Sequence, residues 1–179
     1  LMQRVAAEII QIPFEKVFLK IRKRKKLPKT ESTEPIVVKE RGHKFLVNLV
    51  DYVDVGLPLE HRKTREWIEK EAKDKDFLNL FSYTGTATVC ATAGGAKSTA
   101  SVDASSTYLD WAKRNMELNE LKGPQHIYYR TDVMEFLKSS KKLYDFCWVD
   151  PPVHSVNRTS GEEFEVQEDH VNLLTLVLE

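Results

Sequence analysis

The chain has 179 residues, 27 Lys and Arg against 27 Asp and Glu, a formal net charge of zero and 41% hydrophobic residues. That length supports one full core with at most a small appendage, and the composition is that of a soluble globular protein. Balanced charge excludes a global pull toward nucleic acid, no apolar run reaches membrane-spanning length, the N-terminus is not a signal peptide, and the two distant cysteines, Cys90 and Cys147, read as reduced core residues of a cytoplasmic protein.

In chain order, Val5, Ala6, Ile9 and Ile10 have helical spacing within residues 1–12, and Pro13 stops that helix. Phe14 to Ile21 alternates, with Val17, Leu19 and Ile21 set against Lys16, Phe18 and Lys20, and is expected to form a strand. It enters a basic run of Lys20, Arg22, Lys23, Arg24, Lys25, Lys26 and Lys29. Local clusters of this kind bind phosphate, although a solvated loop accounts for the run about equally well. Leu27 to Glu34 is rich in breakers and reads as a hairpin tip, and Ile36–Val38 and Phe45–Val50 give two more strands around Arg41-Gly42. Residues 1–50 thus read as a small, mostly β module with a basic loop.

Residues 51–75 read as a connector and a helix. Gly56 permits unusual backbone angles, Pro58 delays helix formation, and a helix follows from His61 to Ala72 with Trp67 and Ile68 as apolar anchors.

Residues 76–179 alternate strand and helix. Asp76 to Phe81 is a strand, Ser82-Tyr83-Thr84-Gly85 breaks it, and the alanine-rich Thr86–Ala93 is a helix. Ser98–Val102 is the next strand and delivers Asp103, 18 residues beyond Gly85, where doubly wound folds place an acid on a ribose. Ser105 is the expected N-cap of a helix over Thr107–Asn119, with Leu109, Ala112, Met116 and Leu118 on or near one face. His126–Tyr129 then leads to Thr131-Asp132 and a short helix from Val133, and Tyr144–Val149 leads to Asp150-Pro151-Pro152.

One strand-end Asp is ordinarily a helix cap. Three in succession place acceptors where open α/β sheets bind ligands. The turn has a single glycine, whereas a dinucleotide pyrophosphate demands several. S-adenosylmethionine carries no phosphate and fits. Phe81 to Gly85 would pass its methionine part, Asp103 with Ala104 would hold the ribose, Asp132 with Val133 the adenine, and Asp150 would face the substrate. Pro151 and Pro152 lack N–H groups, so they stiffen that corner and leave it rich in acceptors.

The runs Lys75–Val89, Gly94–Thr99, Val102-Asp103, Tyr108–Asn115 and Asp150–Pro152, joined by Asp51–Arg62 and Phe164–His170, resemble the K half of the bifunctional bacterial 23S ribosomal RNA guanine methyltransferases. The resemblance implies a Rossmann-like class I methyltransferase sheet, S-adenosylmethionine as cofactor, 23S ribosomal RNA as partner and guanine N7 as target. It also places the connector across the cofactor pocket, making Arg62 a candidate for the methionine carboxylate or a substrate phosphate. A second methyltransferase half, fused or paired, is part of the same expectation. Where that family carries an aromatic two residues after the second proline this chain has His154, and its loop differs at Val156 and Thr159.

The residues and the resemblance point to different target atoms. Asp-Pro-Pro offers acceptors, which suit an amino group, while N7 and O6 of guanine call for donors, for which His154, Asn157 and Arg158 are nearest in sequence. Arg22 and Arg24 are candidates for the RNA backbone. Cytosine C5 methylation needs a cysteine nucleophile, and neither Cys90 nor Cys147 sits on a suitable loop. A non-catalytic RNA-binding fragment is the alternative of another class. Only four strands precede the helical tail from Val166 to Glu179 where such a sheet has seven, so a sheet truncated after its fourth strand is expected.

Overall fold

The structure, a computed structural model, describes residues 2–18, 34–50, 54–156, 161 and 163–179. In chain order these form α1 (Met2–Ile9), β1 (Ile36–Glu40), β2 (His43–Val47), α2 (Arg62–Glu71), β3 (Asp76–Leu80), α3 (Thr86–Ala93), β4 (Ser98–Asp103), α4 (Ser106–Leu118), β5 (His126–Arg130), α5 (Val133–Ser139), β6 (Phe146–Val149), β7 (His154–Val156), β8 (Glu163–Glu165) and α6 (Val166–Leu178). The four strands from β3 to β6 pair in parallel in the order β5-β4-β3-β6.

Parallel strands are covered on both faces, which is why these segments read as nearly continuous apolar runs. Leu78, Leu80, Ala100 and Val102 pack on one face against Val133, Phe136 and Leu173 of α5 and α6. Phe77 packs on the other against Ile68 and Ala72, at the end of α2, and Ala87 and Ala91 of α3. That second face also carries a polar chain. Asn79 Nδ2 donates to Thr88 Oγ1 at 2.9 Å, and the Thr88 and Ser101 hydroxyls lie 2.7 Å apart. All three residues are buried, and their mutual bonds remove the penalty an orphaned polar group would carry there.

The antiparallel hairpin β1–β2 docks on this sheet domain through α4. Trp111, Asn115 and Asn119 are four residues apart and share a helix face. Leu46 N donates to Asn115 Oδ1 at 2.8 Å, Lys44 N to Asn119 Oδ1 at 2.8 Å, and Trp111 Nε1 donates to Leu46 O at 3.1 Å. The helix thus supplies β2 with the partners a third strand would have given it. Behind the connector, Arg65 is buried and donates from Nε and Nη2 to the two oxygens of Glu40 at 2.8 and 3.0 Å, and from Nη1 to Pro58 O at 2.7 Å.

Several expectations need correction. The first helix ends at Ile9, with Gln11 at φ 53, before Pro13 is reached. Phe14–Lys16 is a single 3-10 turn, not the start of a strand, because Lys16 N and Val17 N bond locally to Pro13 O and Phe14 O. The strand expected over Phe45–Val50 starts at His43 and ends at Val47, since Asn48 N turns to Val55 O. The short hairpin β7–β8 after Pro152 was not anticipated. The basic run from Lys20, including Arg22 and Arg24, lies outside the described residues. Among the described residues no helix is long and apolar enough to cross a membrane.

Candidate functional site

The order β5-β4-β3-β6 places the switch in winding direction between β3 and β6, and in open α/β sheets ligands bind beyond the strand ends at that point. A cleft of about 770 Å³ opens there. Phe81 and Tyr83 line it after β3, Asp103 and Ala104 after β4, Asp132 and Val133 after β5, and Asp150, Pro151 and Pro152 after β6. The connector from Asp54 to Glu60, Tyr108 of α4, and Ser155 and Val156 of β7 complete the wall.

The turn after β3 has a left-handed backbone at three alternate residues, Phe81 (φ 54), Tyr83 (φ 49) and Gly85 (φ 71). Two aromatic residues in this region cost about 1–3 kcal/mol each, so the surroundings must enforce the conformation. Ser82 N donates to Val102 O, Tyr83 N to Asp103 Oδ2, and Gly85 N to Ser82 O, all at 2.9 Å. Thr84 is fully buried, its hydroxyl donating to Gly56 O at 2.6 Å while its carbonyl accepts from Asn115 Nδ2 at 2.8 Å. A Cβ on Gly85 would lie 2.5 Å from that of Ala112. Glycine is required here by α4 behind the turn, and Gly85 itself does not line the cleft. Gly56 is fixed in the same way, since a Cβ there would fall 2.3 Å from the Trp111 ring.

The three strand-end carboxylates reach one cleft by different means. Asp103 accepts Ser105 N on Oδ1 at 2.8 Å and Tyr83 N on Oδ2, so it joins the start of α4 to the strained turn. Burial pushes its pKa up, against the pull of those two amides. Asp132 caps α5, with Oδ1 accepting from Met134 N at 2.8 Å and Glu135 N at 3.2 Å. Asp150 Oδ2 lies 3.1 Å from His61 Nε2, and the His61 ring meets Trp148 edge-on at 5.3 Å. Burial raises the Asp150 pKa, His61 opposes the rise, and the Glu60 charge adds to it.

The remaining expected site residues lie elsewhere. Ser82 is buried behind the turn, and its hydroxyl has no partner among the described residues. Arg62 does not line the cleft: it is 68% exposed with Nε 3.8 Å from Glu40. His154 is exposed on β7, with Nδ1 2.8 Å from Glu165 Oε1, and is also not part of the lining. Asn157 and Arg158 fall outside the described residues. Burial pushes both cysteine thiols up to about 12, which leaves them inert as nucleophiles at neutral pH. Residue-level reading missed Asp54, Glu60, His61 and Tyr108. The Gly-Leu-Pro interruption at residues 56–58 was their only local signal.

The lining fits an adenosyl group. Its acids are of the kind that can accept from hydroxyls and an exocyclic amine, and Phe81, Leu57, Pro58 and Val133 offer apolar surface of the kind a planar base packs on. The volume lies within the range of about 300–1,000 Å³ usual for small-molecule sites. Among the described residues no Lys or Arg lines it, which is unsuited to a pyrophosphate.

The profile of the S-adenosylmethionine-dependent methyltransferases matches residues 23–174. The chain is 44% identical over 177 residues to "Ribosomal RNA large subunit methyltransferase K/L" of Vibrio cholerae, covering 96% of this chain and 25% of that protein. A protein of the same name from Syntrophotalea carbinolica is 48% identical over 145 residues, covering 81% of this chain and 20% of its own length. The chain therefore spans about a quarter of the curated relatives it matches. Among solved structures, the SMU.776 protein complexed with SAH is similar at a TM-score of 0.76 and 33% identity, over 85% of this chain and 40% of that one. The SAM-dependent methyltransferase of Agrobacterium tumefaciens is similar at 0.75 and 28%, over 84% and 50%.

Proposed function

Because the chain belongs to the S-adenosylmethionine-dependent methyltransferase family, we propose that its cleft holds that cofactor against a base of 23S ribosomal RNA, with guanine N7 as the methylated atom. The observation that carries this reading is the convergence of Asp103, Asp132 and Asp150, from three successive strands, on one cleft with no basic lining among the described residues. The relatives named as large-subunit ribosomal RNA methyltransferases support the substrate class.

The residues take roles that follow from their placement. Asp103, held by two amides, would accept from the ribose hydroxyls, with Ala104 beside it. Asp132 and Val133 would receive the adenine edge, and Phe81 and Tyr83 would pack on the rest of the cofactor. Ser82, Thr84 and Gly85 act from behind by holding the turn. The cofactor supplies an electrophilic methyl group carried on a sulfonium.

N7 presents an in-plane lone pair, so the protein needs no general base, and its contribution is alignment. Methylation at N7 leaves the guanine ring cationic. A carboxylate at the mouth is therefore an asset for this target, and Asp150, stiffened by Pro151 and Pro152, would stand beside the developing charge. On this reading the acceptor-rich corner supports N7 as the target. Extruding the base from its stack costs about a few kcal/mol, offset by contacts for which His154, Asn157 and Arg158 are candidates, with Arg22 and Arg24 on the RNA backbone. A ribosomal RNA target places the protein in the cytoplasm, and the length of the relatives fits a second methyltransferase half in the same polypeptide.

The test is to incubate the chain with unmodified 23S ribosomal RNA and S-adenosylmethionine, digest the RNA and identify the new nucleoside by mass and retention. 7-Methylguanosine is expected. Recovery of N6-methyladenosine, N2-methylguanosine or 5-methylcytidine instead would refute the N7 assignment while leaving the cofactor reading intact.

A further inference from the structure

A chain of zero net charge gathers five carboxylates in this cleft, Asp54, Glu60, Asp103, Asp132 and Asp150, and among the described residues sets no Lys, Arg or His in the lining beside them. Three of the five have structural duties: Asp103 pins the turn, Asp132 caps α5, and Asp150 bonds to His61. The two on the connector do not share this explanation. Both are exposed. Asp54 Oδ2 accepts only the Tyr108 hydroxyl at 3.0 Å, and Glu60 has no hydrogen bond or ion pair among the described residues. Their charges are nonetheless felt inside the cleft, where Glu60 acts on Asp150 and both act on Tyr83.

Like charges in a partly desolvated cleft repel. A cation of the right shape relieves that repulsion, and a neutral ligand of the same shape does not. On the reading that this cleft holds the cofactor, the distinction separates substrate from product. S-adenosylmethionine carries a carboxylate, an ammonium and a sulfonium, for a net charge of plus one. S-adenosylhomocysteine has lost the methyl cation and is a neutral zwitterion.

We propose that this cleft distinguishes the charged methyl donor from its neutral thioether product electrostatically, with the connector acids Asp54 and Glu60 as the specificity-determining residues. Once the methyl group has left, the reason for the cofactor to stay is weakened and exchange for a fresh donor is favoured. The discrimination falls with added salt, because both acids are solvent-exposed.

Calorimetric titration of the wild type and of the double variant Asp54→Asn/Glu60→Gln tests this, with three ligands: S-adenosylmethionine, S-adenosylhomocysteine, and sinefungin, in which an ammonium-bearing carbon replaces the methylsulfonium. The wild type is expected to bind both cationic ligands more tightly than the neutral one at low salt. The double variant should lose about three- to ten-fold of that preference, as expected for two exposed charges, with the S-adenosylhomocysteine affinity held within about two-fold. An unchanged ratio in the folded double variant, or tighter binding of S-adenosylhomocysteine than of sinefungin by the wild type, overturns the proposal alone. If none of the three binds the folded wild type, the cofactor reading falls and takes this proposal with it.

Discussion

At the amino-terminal rim of the central sheet, Asp76 accepts the Ser98 hydroxyl, lies 3.2 Å from Lys142 Nζ and 3.4 Å from Lys97 Nζ, and has its pKa held down to about 2 by these donors, the Ser98 bond foremost. At the carboxyl-terminal rim, Asp103 and Asp150 have no lysine or arginine against them among the described residues, and burial pushes their pKa values up. The side chains and the sheet are the same, and the outcomes are opposite. A carboxylate whose surroundings supply the countercharge is structurally complete. One held in a fixed place without it is ready for a ligand that brings donors or positive charge.

The largest expected effect comes from removing one carboxylate at each rim. Asp103→Ala removes the proposed ribose acceptor and the anchor of Tyr83 N, and should weaken S-adenosylmethionine binding about 100-fold or more, from hydrogen bonds to a charged group worth about 1.5–3 kcal/mol each. Asp76→Ala should leave the affinity within about two-fold, and calorimetry reads both. Equal losses at the two rims would remove the distinction.

Gly85→Ala sharpens the comparison by attacking the carboxyl rim from behind. It forces a Cβ into left-handed backbone and against Ala112, at an expected cost of about 2–4 kcal/mol in urea unfolding. Cofactor affinity should fall with it, because the displaced turn carries the amide that Asp103 holds.

The smallest effect is in pH. Asp76 titrates lower in the folded state than its ordinary 3.8, so its stabilising contribution is complete above about pH 4 and is lost as pH falls toward 2. Asp103 and Asp150 titrate higher than 3.8, so the carboxylates proposed to face the cofactor are protonated first on acidification. Cofactor affinity should therefore decline at a higher pH than the one at which the fold begins to fail, and Asp76→Asn should flatten only the second transition. Titrations and circular dichroism over the same pH series check the order.

The strand-helix alternation from Asp76 to Val149 was legible because buried parallel strands leave apolar runs, and because Ser105 is a local capping signal that the structure uses as such, whereas Asp132, expected as an adenine acceptor, also caps α5. The start of the Phe14–Ile21 run misled because alternation in a short run also suits a turn whose amides bond locally, as at Phe14–Lys16; Leu19 to Ile21 lie outside the described residues. Trp111, Asn115 and Asn119 fall within the helix expected over Thr107–Asn119, and the sequence pattern assigns them no role. Their role in completing β2 depends on a hairpin about 70 residues away in sequence, which no local pattern reveals. The same holds for the cleft: its acidic floor follows from strand ends, whereas the roof of Asp54 and Glu60 depends on how the connector folds back over Thr84.

The most direct measurement is a crystal structure of the chain with S-adenosylhomocysteine. The ribose hydroxyls are expected on Asp103, the adenine beside Asp132 and Val133, and the sulfur turned toward Asp150 and Pro151. A ligand bound away from the carboxyl ends of the strands, or a ribose with no contact to Asp103, would contradict it.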